Sequence, residues 1–179
     1  MQYIEVIMSL SSFSKYSRAI IYMHWFMLFL IVGTYLFIEF RVIFPKGTDA
    51  RTLMKVAHFS LGLTVLLCVS IRVYLKLSAQ QPNSHLSFAA RLGHVGLYFY
   101  LMIMPILGWL VVSAEGKEVT FYFFTLPPLI AENADLAHDI EEWHEILGEL
   151  GYWLIGGHAL MALYHHYFKN DPTFRRMIP

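Results

Sequence analysis

The chain has 179 residues, of which 57% are hydrophobic and 15% charged, and its formal net charge is zero at pH 7 with neutral histidines. This composition excludes an ordinary soluble domain and is typical of helical membrane proteins. The balanced charge predicts no nucleic-acid partner. The single cysteine, Cys68, excludes a disulfide framework and a cysteine-bound zinc or iron–sulfur site. Nine histidines remain as the plentiful candidates for metal ligands.

Four apolar stretches are long enough to cross a bilayer, since each is near the ~20 residues that a hydrocarbon core requires. They cover approximately residues 20–40, 53–74, 92–112 and 143–164. No small-residue cleavage site follows the first stretch, so we interpret it as an uncleaved helix rather than a signal peptide. Initiation at Met1 or at Met8 stays open. We predict a single all-α domain over residues 1–179, an integral membrane four-helix bundle in membrane lipid.

The distribution of basic residues predicts the orientation of this bundle. With the N-terminus inside, eight basic residues lie on the inner side and five on the outer side. The inner group is Lys15, Arg18, Arg72, Lys76, Arg91, Lys169, Arg175 and Arg176, and the outer group is Arg41, Lys46, Arg51, Lys55 and Lys117. Both termini are therefore predicted to be cytoplasmic. The long third connection then lies outside, and its aromatic part, VTFYFFTLPPLI, is predicted to lie at the interface over the helix ends.

Two histidines in the last span, within WHEILGELGYWLIGGH, carry most of the functional information. His144 and His158 are fourteen residues apart, which is close to four helical turns. Their imidazoles therefore point from one helix face and are separated by about 21 Å along the axis. Gly151 lies midway between them, where only a small side chain would let a helix or a macrocycle approach closely.

Sorting the intramembrane histidines by depth gives two pairs. His24, near the cytoplasmic start of span one, matches His158, and His58, near the external start of span two, matches His144. Buried ionisable residues are costly in a membrane and usually have a function. Two neutral imidazoles fill both axial positions of a haem iron, which favours electron transfer over oxygen binding. The four histidines therefore predict a bundle that encloses two b haems.

Three further residues are candidates for contacts with the inner haem or a quinone. Arg72 lies fourteen residues after His58, on the same face, and could pair with haem propionates or extend to lipid headgroups. His94 opens span three at cytoplasmic depth and competes with His24 as the inner ligand; otherwise it could hydrogen-bond a propionate or deliver protons to a quinone. His165 lies at the cytoplasmic mouth, where a merely interfacial position explains it as well.

Five segments carry a resemblance to a known family. They are KYSRAIIYMHW, FIEFRVIFPKG, LMKVAHFSLG, RLGHVGLY and the C-terminal WHEILGELGYWLIGGHALMALYHHYFKNDPTFRRMIP. From about Lys15 onward the chain resembles the bacterial cytochrome b561 family, in its short four-helix dihaem form. The resemblance implies haem ligation by His24, His58, His144 and His158, in agreement with the depth sorting. It also implies an inner-membrane electron carrier that exchanges electrons with the quinone pool.

The resemblance further implies a superoxide oxidase, in which external superoxide is oxidised to oxygen and ubiquinone is reduced. Superoxide is an anion and can be steered by cations, and the candidates for steering are Lys46, Arg51, Lys55 and Lys117. Acidic residues crowd the same side: Glu115, Glu118, Glu132, Asp135, Asp139, Glu141, Glu142 and Glu145. They keep an alternative open, a cytochrome b relay subunit that links a partner dehydrogenase or hydrogenase to the quinone pool. A histidine-lined metal transporter is disfavoured, because no carboxylates cluster with the histidines.

Overall fold

The computed structural model describes residues 16–78, 87–172 and 174–178. Lys15, His85 and the segment with Met1 and Met8 lie outside these ranges. The elements in chain order are α1 (Arg18–Phe40), a 3-10 turn (Arg41–Ile43), α2 (Asp49–Ser78), α3 (Phe88–Ala114), β1 (Val119–Phe121), β2 (Phe124–Leu126), α4 (Ala134–Phe168) and a second 3-10 turn (Arg175–Met177).

Local capping explains where three of the helices begin. The side chains of Ser17, Ser87 and Asn133 each accept a hydrogen bond from the backbone N–H three residues later, at 3.4, 3.2 and 3.0 Å respectively. Such caps satisfy N–H groups that have no partner inside the helix. Ser17 and Ser87 stand just before apolar runs, whereas Asn133 precedes the acidic first turns of α4. In each case the polar residue marks where the connection ends and the helix begins.

The four helices are long and apolar enough to cross a membrane, which confirms the predicted four-helix membrane bundle. All four begin before the predicted spans, and α2, α3 and α4 also end after them, whereas α1 ends at Phe40 as predicted. The second helix has 30 residues and the fourth has 35, or about 45 and 52 Å of axis at 1.5 Å per residue. A hydrocarbon core is only about 30 Å thick. The ends of these helices therefore project past the apolar layer.

The bundle is packed unevenly. Neighbours in the chain pack together, α1 on α2, α2 on α3 and α3 on α4. A small apolar core joins the first two helices through Met27, Leu30, Val65, Cys68 and Val69. The backbones of α1 and α4 approach each other much less closely, and these two helices meet through long side chains. The space between α4 and the first two helices is where the intramembrane histidines point.

The aromatic third connection differs from the predicted segment over the helix ends. It forms an antiparallel hairpin in which Phe121 pairs with Phe124, and the hairpin packs along the side of α2. The physical reason is a pair of hydroxyl side chains on that helix. Ser60 and Thr64 each hydrogen-bond Tyr122 at the hairpin turn.

Candidate functional site

The first histidine pair joins α2 to α4. The ring centroids of His58 and His144 are 6.3 Å apart, with an interplanar angle of 84°. His58 projects from the first half of its helix and His144 from the first half of α4. The two side chains therefore meet near the end of the bundle that holds the connection from α1 to α2.

The second pair joins α1 to α4. The ring centroids of His24 and His158 are also 6.3 Å apart, with an interplanar angle of 69°. Because α4 is one continuous helix, its fourteen-residue spacing separates the two pairs by about 21 Å. The structure thus brings the four histidines together in the two combinations that depth sorting predicted.

A centroid spacing of 6.3 Å fits two imidazoles on opposite sides of one metal atom. With a metal–nitrogen bond of about 2.1 Å and a ring radius of about 1.1 Å, the expected centroid spacing is roughly 6.4 Å. Within the described residues, no group of three or more His, Cys, Asp or Glu side chains is arranged to hold a bare ion. Each pair suits a metal whose other positions are filled by a planar macrocycle.

A hydrogen bond orients the His58 ring of the first pair. The Nδ1 of His58 lies 2.8 Å from the Thr34 carbonyl oxygen. Since a carbonyl only accepts, Nδ1 carries the proton and Nε2 presents its lone pair, as is usual for a metal-binding histidine whose other ring nitrogen donates to a backbone carbonyl. On α3, a Cβ at Gly108 would lie 3.3 Å from Cε1 of His144, so the glycine leaves room for that ring.

The second pair has a third histidine beside it. The His94 ring centroid is 5.7 Å from that of His158, and its buried Nδ1 has no hydrogen-bond partner among the described residues. Both His24 and His94 therefore stand within reach of His158, as the sequence analysis expected. The spacing of the His24 pair matches that of the first pair, whereas the His94 spacing is shorter.

Arg72 lies at the same end of the bundle and points inward. Its Nε donates to the Tyr98 hydroxyl at 3.2 Å, and one terminal nitrogen donates to the Ile20 carbonyl at 3.0 Å. The guanidinium is close enough to His24 and His158 to interact with them electrostatically. Between the two sequence-based alternatives, an internal contact therefore describes Arg72 better than extension to headgroups.

Three of the four predicted steering cations surround one open cavity of about 350 Å³. Its lining residues are Lys46, Gly47, Arg51, Thr52 and Lys55. The Arg51 guanidinium also ties the connection to α2, because it donates to the backbone oxygens of Arg41 and Phe44 at 3.2 and 2.9 Å. Lys117 does not line this cavity, and its Nζ pairs with Glu115 at 2.7 Å.

Arg41 is a candidate that the sequence analysis did not single out. It opens the 3-10 turn after α1, and its guanidinium interacts electrostatically with His58. One terminal nitrogen donates to the Ile38 carbonyl at 3.2 Å, whereas the buried Nε has no hydrogen-bond partner in the described part of the chain. The sequence contained one signal for this role, namely that a basic residue directly follows span one at the end of the bundle where His58 lies.

A tyrosine cluster occupies the middle of the bundle, between the two pairs. The Tyr35 hydroxyl donates to the Gly148 carbonyl at 2.8 Å and lies 2.8 Å from the Tyr100 hydroxyl. A Cβ at Gly151 would overlap both hydroxyl oxygens. A small residue is therefore needed at this midpoint, as predicted. The space that it leaves is occupied by two tyrosine side chains from other helices and not by a closely packed helix backbone.

The last predicted residue, His165, interacts with the C-terminal segment. Its Nδ1 is 3.6 Å from a carboxylate oxygen of Asp171, and its side chain is 43% exposed. Further along, the Trp25 indole N–H donates to the Met177 carbonyl at 2.7 Å. The C-terminal segment therefore folds back against α1 beside His24.

Comparison with known proteins identifies the family of the chain. Residues 15–179 match the family described as prokaryotic cytochrome b561. The chain is 33% identical over 172 residues to "Cytochrome b561 homolog 1" of Escherichia coli (strain K12), covering 93% of this chain and 98% of that protein. It is 31% identical over 171 residues to "Probable superoxide oxidase CybB" of Yersinia pestis, covering 92% and 96% of the two chains.

A third similar protein is "Cytochrome b561 homolog 2" of Escherichia coli (strain K12), 30% identical over 135 residues and 68% of each chain. The family match at residues 15–179 extends over α1, α2, α3 and α4. The chain therefore belongs to the prokaryotic cytochrome b561 family of bacterial membrane proteins, which bind haem b and transfer electrons.

Proposed function

We propose that the protein is a dihaem b-type oxidoreductase that takes single electrons from superoxide at one membrane face and delivers them to ubiquinone. The observation that carries this proposal is the pair of equal centroid spacings, 6.3 Å for His58 with His144 and 6.3 Å for His24 with His158. Two such pairs on one continuous helix form two redox sites in series across the bilayer.

The four histidines hold the haems as axial ligands in this proposal. When bound, haem b supplies an iron that gains and loses one electron without bond cleavage. Nδ1 of His58 donates to the Thr34 carbonyl. Nε2, on the other side of the ring, would therefore be the nitrogen that binds the metal. If each haem were held by the two imidazoles of one pair, the iron would have no free position for oxygen, and the site would favour electron transfer over binding of the gas.

The cations near the first pair give that site its electrostatic character. Lys46, Arg51 and Lys55 line one cavity, and Arg41 lies closer to His58. A concave cationic surface raises the local concentration of a small anion. The similar protein named a probable superoxide oxidase supports superoxide as that anion. Two superoxide ions each lose one electron to become oxygen, and one ubiquinone takes up two electrons and two protons.

The second pair lies at the end where we propose that the quinone is reduced. Arg72 offers a positive charge for haem propionates. His94, with a buried nitrogen that has no partner among the described residues, is a candidate hydrogen-bond donor to a propionate or to a quinone oxygen. We assign this end to the cytoplasm because the basic residues predict both termini there. The cationic cavity then faces the periplasm.

Stopped-flow mixing tests this function directly. The haem-loaded protein in nanodiscs is mixed with superoxide, without any partner protein, and the reduced b-type absorption is followed. We expect rapid reduction that superoxide dismutase abolishes, and reoxidation when a soluble ubiquinone is added. If superoxide leaves the haems oxidised while a chemical reductant reduces them, the superoxide assignment is wrong.

A relay subunit is the second candidate function, and one observation favours it. The first turns of α4 carry a row of exposed acidic side chains, which are Asp135, Asp139, Glu141, Glu142 and Glu145. They lie at the same end of the bundle as His144 and could bind a basic redox partner. In that case the haems would be reduced only in the presence of such a partner, and superoxide alone would have no effect.

A further inference from the structure

The hairpin β1–β2 lies deeper along the bundle than a surface connection requires. Its turn residue Tyr122 contacts α2 at Ser60 and Thr64. On that helix the nearest charged residues on either side are Lys55 and Arg72. Thr64 stands nine residues after Lys55 and eight before Arg72, so it marks the middle of the charge-free stretch. The Tyr122 hydroxyl therefore reaches about 13 Å beyond Lys55 along the helix axis.

Two hydrogen bonds hold the turn at this depth. The backbone N–H of Tyr122 donates to Oγ of Ser60 at 3.0 Å, and its hydroxyl lies 3.0 Å from Oγ1 of Thr64. Ser60 is only 1% exposed. A backbone group without a partner is costly in hydrocarbon, and the Ser60 hydroxyl removes that cost for the Tyr122 N–H. We call the contacts of Ser60 and Thr64 with Tyr122 the hairpin clasp.

The backbone of the turn supports a specific role for Tyr122. Its φ is 51°, a left-handed conformation that two-residue hairpin turns require and that glycine or asparagine adopts at lower cost. A bulky residue in this region is an outlier that points to function. The use of tyrosine is explained by the clasp, because neither glycine nor asparagine could reach Thr64.

The remaining turn side chains face outward. Phe123 is 97% exposed and Phe124 is 68% exposed. The neighbouring helices α2 and α3 also carry outward-facing apolar side chains, of which Leu67 is 58% and Phe99 is 68% exposed. An apolar patch of this kind is unfavourable in water. Thr64 lies in the charge-free middle of a helix long and apolar enough to cross a membrane, where outward-facing side chains are expected to meet acyl chains.

We propose that residues 119–126 form a re-entrant hairpin whose tip, Phe123, contacts lipid acyl chains, and that the hairpin clasp holds it there. The hairpin thus forms part of the lipid-facing wall between α2 and α3. This proposal depends on the membrane location of the bundle. It does not depend on superoxide or on the number of haems.

Spin labels at single cysteines measure the depth of the tip. In the haem-loaded protein with Cys68→Ala, reconstituted in nanodiscs, labels are attached at Phe123→Cys, Leu53→Cys or Leu67→Cys. The two reference leucines are outward-facing residues of α2, 65% and 58% exposed, near the helix start and beyond Thr64. The ratio of collisions with apolar oxygen to collisions with a water-soluble nickel chelate rises with depth in the bilayer.

We expect the ratio at residue 123 to match that at residue 67 and to exceed that at residue 53 several-fold. A ratio at residue 123 equal to that at residue 53 would overturn the proposal, because the tip would then lie at the surface. Protection from both reagents would also overturn it, since a partner protein or a second copy would then cover the tip.

The clasp has its own test in the Phe123→Cys protein. Ser60→Ala with Thr64→Val removes both hydroxyl contacts while retaining similar side-chain sizes. We expect the oxygen-to-nickel ratio at residue 123 to fall several-fold and the label to become more mobile. Ser70→Ala is the matched control, because the Ser70 hydroxyl donates only to the Leu66 carbonyl of its own helix among the described bonds. An unchanged ratio in the double variant would exclude the clasp as the anchor.

Discussion

The two histidine pairs have the same spacing in different surroundings. Both ring-centroid distances are 6.3 Å, and α4 supplies one member of each pair. In the pair of His58 and His144, a ring nitrogen of His58 is hydrogen-bonded to a backbone carbonyl. A cationic cavity and acidic side chains lie at the same end of the bundle as this pair. The pair of His24 and His158 has a third histidine, His94, and the inward-pointing Arg72 beside it.

The comparison separates two properties of the bundle, which are its ability to hold a cofactor and its ability to exchange electrons with the surroundings. The helix repeat of α4 determines how far apart the two sites lie along the bundle, and because both sites present two imidazoles at the same spacing, both can hold a similar cofactor. The neighbouring charges and polar groups determine what each site exchanges with its surroundings. We expect the first pair to receive electrons from a charged donor in water and the second to deliver them to a quinone in lipid.

Loss of a ligand from α4 should have the largest effect. We expect His144→Ala and His158→Ala each to lower the haem content from two per chain to one, because each variant disrupts a different pair. The measurement is haem per protein from the pyridine haemochrome spectrum. His165→Ala on the same helix is the control and should keep both haems, since His165 pairs with Asp171. Loss of both haems in either single variant would contradict two independent sites.

The identity of the second inner ligand can be resolved by a matched pair of variants. We expect His24→Ala to lose the inner haem and His94→Ala to retain it, because only the His24 spacing equals that of the other pair. Haem content and the low-spin ferric electron paramagnetic resonance signal provide the measurement. The reverse outcome would make His94 the ligand and would leave His24 as its hydrogen-bonding neighbour.

Removal of charge from the cavity should slow the reaction without altering the haems. For Lys46→Gln with Lys55→Gln, we expect the second-order rate constant of reduction by superoxide to fall about tenfold at low ionic strength. The difference should shrink as salt is added, since exposed charges are screened. Lys117→Gln is the control, because that lysine pairs with Glu115 outside the cavity. An equal loss in the control would indicate a general charge effect rather than steering by the cavity.

The smallest expected effect is a selective shift of redox potential. A nearby cation stabilises the electron-rich reduced form, so its removal lowers the midpoint potential. We expect Arg41→Gln to lower the potential of the haem at His58, and Arg72→Gln that of the haem at His24, each by roughly 40 mV, equivalent to about 1 kcal/mol. Potentiometric titration measures both. Arg41→Lys and Arg72→Lys keep the positive charge and should therefore retain most of the midpoint potential. If a lysine variant lowered the potential as much as the matching glutamine variant, the cause would be altered packing and not the lost charge.

Several features could be predicted because they depend on local periodicity. Four apolar runs of span length were sufficient to predict four membrane helices. The fourteen-residue interval in α4 predicted two sites at different depths, and the direction of each helix predicted which histidine faces which. Such features follow from the rise per residue of a helix and from the cost of polar groups in lipid.

Other features could not be predicted because they depend on contacts between distant segments. Tyr35 and Tyr100 meet at Gly151 only after three helices pack together. The hairpin turns back along α2 because Ser60 and Thr64 offer it hydrogen bonds, and no short pattern in the aromatic connection indicates this. Lys117 was grouped with the other cations by its side of the membrane, but local pairing with Glu115 separates it from them.

The amino-acid sequence by itself determined a membrane-spanning bundle and the two levels at which its histidines lie, because hydropathy and helical repeat act within each segment. The tertiary structure decided which charged and hydroxyl groups surround each pair, how Arg41 approaches His58, and how deep the hairpin reaches. These are distances across the bundle, and they depend on how helices far apart in the chain pack against one another.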